Sequence, residues 1–97
     1  MVSNEASPKE QFVEVSVSTT AGFYPAEGFE QAPIHQKVSV LLGKAQNKLK
    51  IKDVNGWIAT VTDGSGKRQL DPDRSYLDNN LSGTVEIDWG PSEGGGG

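Results

Sequence analysis

Cysteine is absent from the 97 residues, which excludes disulfides, thiolate metal sites and thiol catalysis together. Histidine occurs once, as His35, so neither a multi-histidine metal site nor a paired histidine relay can be built. Apolar residues are scarce, at 34%, and are concentrated in the middle of the chain, as expected for one small core with polar ends. No apolar run approaches the ~18 residues of a membrane span. No charged segment followed by an apolar stretch reads as a leader, so a cytoplasmic location away from membranes is the default expectation. A basic excess is missing too. Nine Lys and Arg against 13 Asp and Glu give a net charge of −4, and the signs are mixed along the chain, which argues against a nucleic-acid partner.

Glycine, by contrast, is plentiful at 12 residues, and four of them form the run Gly94 to Gly97. Such a run has two readings. It is a linker-like segment, or it is a tail that passes through an enzyme channel too narrow for side chains, because glycine lacks a Cβ. From Gly90 to Gly97 the chain reaches roughly 25–30 Å when extended, at about 3.3–3.6 Å per residue.

The alternation of the chain predicts the elements between. Residues 1–11 are polar, carry Pro8 and show no periodicity, and are expected to be a flexible arm. Phe12 to Ser18 alternates, with Val13, Val15 and Val17 on one face and Glu14, Ser16 and Ser18 on the other: a half-buried strand. After the turn Thr19-Thr20-Ala21-Gly22, Phe23 to Ala32 is expected to return as a strand made irregular by Pro25 and Gly28. From Lys37 to Lys50 the period becomes helical, with Val38, Leu41, Leu42, Ala45 and Leu49 on one face. Ser39 is a candidate cap, although Gln36 or Lys37 could equally open the first turn. Gly43 weakens the helix and would allow a close approach to a sheet. Lys44, Lys48, Lys50 and Lys52 gather at the helix end, where cations suit the helix dipole. Asn55-Gly56 is a turn, Trp57 to Thr62 a strand, and Asp63 to Gly66 a second turn. Lys67 to Leu70 is a short strand opening a long connection, Asp71 to Leu81, pinned by Leu77 and Leu81. The last strand, Thr84 to Trp89, turns Val85 and Ile87 inward and Glu86 and Asp88 outward. The aspartates Asp71, Asp73 and Asp78 lack the alternating ligands and closing glutamate of a calcium loop and read as a solvated turn. No nucleophile–base pair argues for an enzyme in its own right; His35 reads as a loop residue, and no metal or cofactor is implied.

The order of hairpin, single helix, strand, short strand, one-turn connection and strand, followed by glycines, resembles the ubiquitin-like β-grasp family. The stretch Gly66-Lys67-Arg68-Gln69-Leu70-Asp71-Pro72-Asp73-Arg74-Ser75-Tyr76-Leu77-Asp78-Asn79-Asn80-Leu81 is similar to ubiquitin's run from its central Gly-Lys turn to its final strand. The three-then-four spacing of Val38, Leu41 and Ala45 matches the family's helix. The resemblance spans residues 12–97 in pattern order, with the first hairpin fitting least well. It implies an α+β fold with a mixed sheet of four to five strands packed on one main helix, over residues 12–89, and a flexible tail at 90–97.

It also implies a protein modifier, acting as a monomer. The family's terminal glycine carboxylate is adenylated with ATP by an E1-like activating enzyme, passed to the cysteine of an E2-like conjugating enzyme and joined to a lysine of a target; a deconjugating protease reverses the last step. Gly96 and Gly97 would be the reactive pair, and Gly94 and Gly95 the part that threads the partner enzymes. The pattern departs from ubiquitin in Gly90-Pro91-Ser92-Glu93, where ubiquitin carries arginines, so a dedicated activating enzyme is implied. Glu86 and Asp88 also degrade the family's apolar recognition patch. Ile58, with Trp57 beside it, is the candidate partner surface, Ile58 being open to a core or a patch reading; Lys67 stands where ubiquitin has a chain-linking lysine. These departures point to a divergent modifier similar to bacterial ubiquitin-like proteins of conjugation operons. Two alternatives stay open: a sulfur carrier with a C-terminal thiocarboxylate, and a ubiquitin-like binding module that is never conjugated.

Overall fold

Valines at every second position of the first segment build the centre of the molecule. The computed structural model describes residues 11–64 and 66–92. The arm through residue 10, Ser65 in the second turn and the Gly94–Gly97 run lie outside the described residues. Strand β1 (Phe12–Thr19) buries Val13, Val15 and Val17 almost completely. It pairs antiparallel with β2 (Gly22–Tyr24) through its second half and with β3 (Glu30–Pro33) through its first. The expected returning strand is thus cut in two, because Pro25 has no N–H to donate and Gly28 turns the chain at φ +69°. That division gives the sheet six strands.

Helix α1 (Val38–Leu49) follows and packs Val38, Leu41, Leu42 and Ala45 onto the valines. Ser39 does not cap it. Lys37 is the N-cap residue and makes no side-chain cap bond. Instead the first free N–H groups donate to the distant connection, Val38 to the Arg74 carbonyl at 3.0 Å and Ser39 to that of Pro72 at 2.9 Å. The C-terminus closes on Lys50 in the left-handed region, φ 57°, with Ile51 N donating back to the Gln46 carbonyl.

Strand β4 (Trp57–Asp63) pairs antiparallel with β5 (Gly66–Gln69) and with β6 (Thr84–Pro91), and β6 runs parallel to β1. The sheet order is β2-β1-β6-β4-β5, with β3 continuing the β2 edge. A hairpin and a helix therefore return the chain so that first and last strands lie side by side. Between β5 and β6, the connection makes one turn of hydrogen bonds, Asn79 N to the Ser75 carbonyl and Leu81 N to that of Tyr76. Leu81 is buried as expected, but Leu77 stands 47% exposed; Tyr76, at 0%, takes the inner position. Gly43 also differs from expectation. It faces open space, and the close approach belongs to Gly22, whose missing Cβ would sit 3.3 Å from Leu49 Cδ2.

Candidate functional site

Alternation along β4 separates the two residues read as a partner surface. Ala59 and Val61 face the helix, and Trp57 shares that side, with its ring edge-on to Trp89 at 5.0 Å and 82°. Ile58 faces the opposite, outer side of the sheet and is half-buried. Its cross-strand partner is Gly90, so no side chain covers it from β6. Ile58 thus forms the floor of a shallow groove of about 530 Å³, with Thr60, Gln69, Asp88 and Gly90 around it and Lys67 at its rim. Lys67 lies within β5, opposite Thr62, and is exposed. The groove joins one aliphatic side chain to hydroxyls, an amide, the cations of Lys67 and Arg68 and the carboxylate of Asp88. That chemistry suits a contact made through a single apolar anchor with polar surroundings.

The last strand ends next to this groove. Trp57 pairs with Pro91, so β6 continues two residues past Trp89, and Gly90 and Pro91 belong to the sheet. Gly96 and Gly97, read as the reactive pair, and Gly94 and Gly95 lie outside the described residues. His35 is exposed in the connection before the helix. The Asp71 carboxylate accepts from Asp73 N at 3.0 Å and pairs with Arg74 at 3.5 Å, a self-contained turn. Among the described residues, no group of three or more His, Asp or Glu could hold a metal ion, and no helix is long and apolar enough to cross a membrane.

Two polar arrangements on the helix side were not legible from motifs. Glu30 accepts from the Tyr24 hydroxyl at 2.6 Å and from Lys44 Nζ at 2.7 Å, tying the hairpin edge to the helix. Partial burial works to raise the Glu30 carboxyl, but the hydrogen bonds from Lys44 and Tyr24 and the lysine's charge outweigh it and hold the group below its ordinary value. Tyr24 is raised in turn, chiefly by donating to that carboxylate. Deeper inside, the Tyr76 hydroxyl is buried with no hydrogen-bond partner among the described residues, and burial followed by the Glu30 charge pushes its pKa far up. The other feature missed is a set of three exposed phenylalanines, Phe12, Phe23 and Phe29, at 46%, 64% and 41%.

No family model matches the sequence, and no curated protein matches it either. Solved structures do resemble the fold. A ubiquitin-like domain from tubulin-binding cofactor B superposes with a TM-score of 0.64 at 17% identity, covering 89% of this chain and 96% of that one. The C-terminal ubiquitin-like domain of mouse tubulin-specific chaperone e gives 0.60 at 15%, over 93% and 99%. The RA domain of a guanine nucleotide exchange factor for Rap1 gives 0.50 at 18%, over 91% and 80%. At such identities the likeness carries the architecture alone. With the strand order and the parallel pairing of first and last strands, it establishes that this chain folds as a ubiquitin-like β-grasp domain.

Proposed function

We propose that the chain is a divergent ubiquitin-like protein modifier whose glycine carboxylate is the acyl donor in conjugation. The observation that supports this is positional: the last strand of the fold is held to β4 as far as Pro91, and only Ser92 and Glu93 separate it from Gly94 to Gly97. In this reading a Gly97 carboxylate oxygen attacks the α-phosphorus of ATP and pyrophosphate leaves. A cysteine thiolate of the activating enzyme then attacks the acyl carbon and AMP leaves. Transfer to a conjugating cysteine and attack by a lysine amine, with the thiolate as leaving group, complete an isopeptide bond. The chain contributes no catalytic side chain. Its fold presents the tail and offers the Ile58 groove as the recognition surface, and the acidic Glu93 calls for an activating enzyme other than one that reads arginines. Lys67, exposed on the groove rim, is the candidate acceptor for chain formation. The pattern suits the bacterial conjugation-operon type better than eukaryotic ubiquitin.

The test uses an N-terminally tagged chain in its native host, beside a version lacking Gly96 and Gly97, both purified under denaturing conditions for mass spectrometry. Glycine-remnant adducts on lysines of other proteins, seen only with the intact tail, are the expected result. A lone species heavier by the difference between sulfur and oxygen would assign a sulfur carrier instead. Identical species without adducts would leave a binding module whose glycines are only a linker.

A further inference from the structure

All three phenylalanines of the chain are exposed, while the core is built from valine, leucine, isoleucine and alanine with Tyr76 and Trp89. Val13 faces the helix, so Phe12 faces outward, level with Pro33 of β3. Phe23 is level with Ser18 on the outer side. Ala32 and Glu30 turn to the helix side, so Gln31 turns outward by alternation, and the exposed Phe29 immediately precedes β3. Phe12 on β1 and Phe23 on β2 thus stand on the outer sheet face, and the exposed Phe29 lies at the start of β3 on the same side of β1 in the sheet. Carboxylates share the outer face. On β1 and β6 the outward positions Glu14, Glu86 and Asp88 follow the register Ser16↔Glu86 and Ser18↔Asp88. None of these three carboxylates takes part in a salt bridge among the described residues. Strand spacing puts Asp88 ~10 Å from Phe23 across the face.

From this juxtaposition of exposed aromatic rings with carboxylates that no salt bridge neutralises, we propose that the outer face of β1, β2, β3 and β6 is a docking surface for a cationic amphipathic helix of a partner protein. The charge pattern selects a basic partner and disfavours an anionic membrane surface, which the carboxylates would repel. The geometry selects a helix. A helix is ~10–12 Å wide, so one laid along β1 sets apolar side chains on the rings and Lys or Arg on the carboxylates. Its i to i+4 rise of ~6 Å is close to the ~6.6 Å between alternate strand residues. Pairing of an extended peptide along the edge is disfavoured, because β2 has three residues, β3 has four, and Pro25 and Pro33 interrupt and end that edge. The surface is independent of the glycine run and meets the Ile58 groove at Ser18 and Asp88.

The experiment titrates the ¹⁵N-labelled full chain with an amphipathic Leu/Lys peptide of about 18 residues, long enough to be helical when bound, and with its Leu/Glu counterpart. Backbone shifts confined to β1, β2, β3 and β6 with the Leu/Lys peptide, and none with Leu/Glu, are expected. Phe23→Ser and Phe29→Ser should each weaken binding about tenfold while leaving the spectrum otherwise folded. Glu86→Gln with Asp88→Asn should weaken it several-fold and flatten its salt dependence. A chain lacking Gly94 to Gly97 should bind equally, which keeps this result separate from the conjugation test. Absence of saturable shifts up to ~1 mM peptide, equal binding of Leu/Glu, shifts centred on Ile58 and Lys67, intermolecular contacts of an edge-paired strand, or unchanged affinity in the phenylalanine variants would each overturn the proposal.

Discussion

Asn79 shows how much one buried amide can organise. Its Oδ1 accepts from Asp71 N at 2.9 Å, and its Nδ2 donates to the carbonyls of Asp71 at 3.0 Å and Ser75 at 2.9 Å, so a single side chain ties both ends of the connection after β5. Asn79→Ala removes the partner of Asp71 N, while the carbonyls of Asp71 and Ser75 keep Arg74 N and Asn79 N as donors, and should cost about 1–2 kcal/mol in urea denaturation. Tyr76 is the opposite case: its ring fills the core and its hydroxyl gains nothing. Tyr76→Phe should therefore raise stability by about 1 kcal/mol in the same measurement; a loss would mean that the hydroxyl is satisfied in solution. The glycines divide likewise. Gly43→Ala fills open space on a helix and should stabilise by about 1 kcal/mol, whereas Gly22→Ala should destabilise, since φ is +136° there and the Cβ would press on Leu49. Sequence patterning alone does not separate these cases. It marks a helical glycine as weak, but it does not say which glycine another element approaches, nor that Tyr76 rather than Leu77 turns inward in a segment of one turn.

At the scale of elements, the clamp of Glu30 with Tyr24 and Lys44 is the joint between the β2–β3 edge and the helix. The folded carboxyl is held below its unfolded value. Its contribution is therefore present above the unfolded pKa and is lost as pH falls through the folded one, below pH ~4. Tyr24 is raised, so its contribution is present below its unfolded value and disappears as pH climbs through the folded one, above pH ~10. In thermal melts across pH, the advantage of the wild type over Glu30→Gln should close at the acid end, and that over Tyr24→Phe at the alkaline end. Gaps that stay constant with pH would show that the clamp does not form. Glu30 lies 6 residues from Tyr24 and 14 from Lys44 in sequence, so no local pattern announces the joint. The strands themselves were readable, including the outward side of β1: once Val13, Val15 and Val17 are placed inside, Phe12 must share the face of Glu14.

For the whole molecule, the described fold closes at the pairing of Trp57 with Pro91. Removing Gly96 and Gly97 should thus leave the melting temperature unchanged while abolishing any adducts, and a lowered melting temperature would show that the tail packs on the domain. Side-chain period and turn chemistry within a short window were enough for the helix stripe, most of the strands and the inner and outer faces of β1 and β6, while the β-grasp order was legible only as a family resemblance. Only the tertiary structure decided the division of the second strand and the capping of the helix by the carbonyls of Pro72 and Arg74. It also decided the separation of Ile58 from Trp57 and the placing of Phe12 and Phe23 on the same sheet face as Glu14, Glu86 and Asp88. Those depend on which distant strands become neighbours and in what register, and that is fixed by burying one shared core rather than by any segment alone.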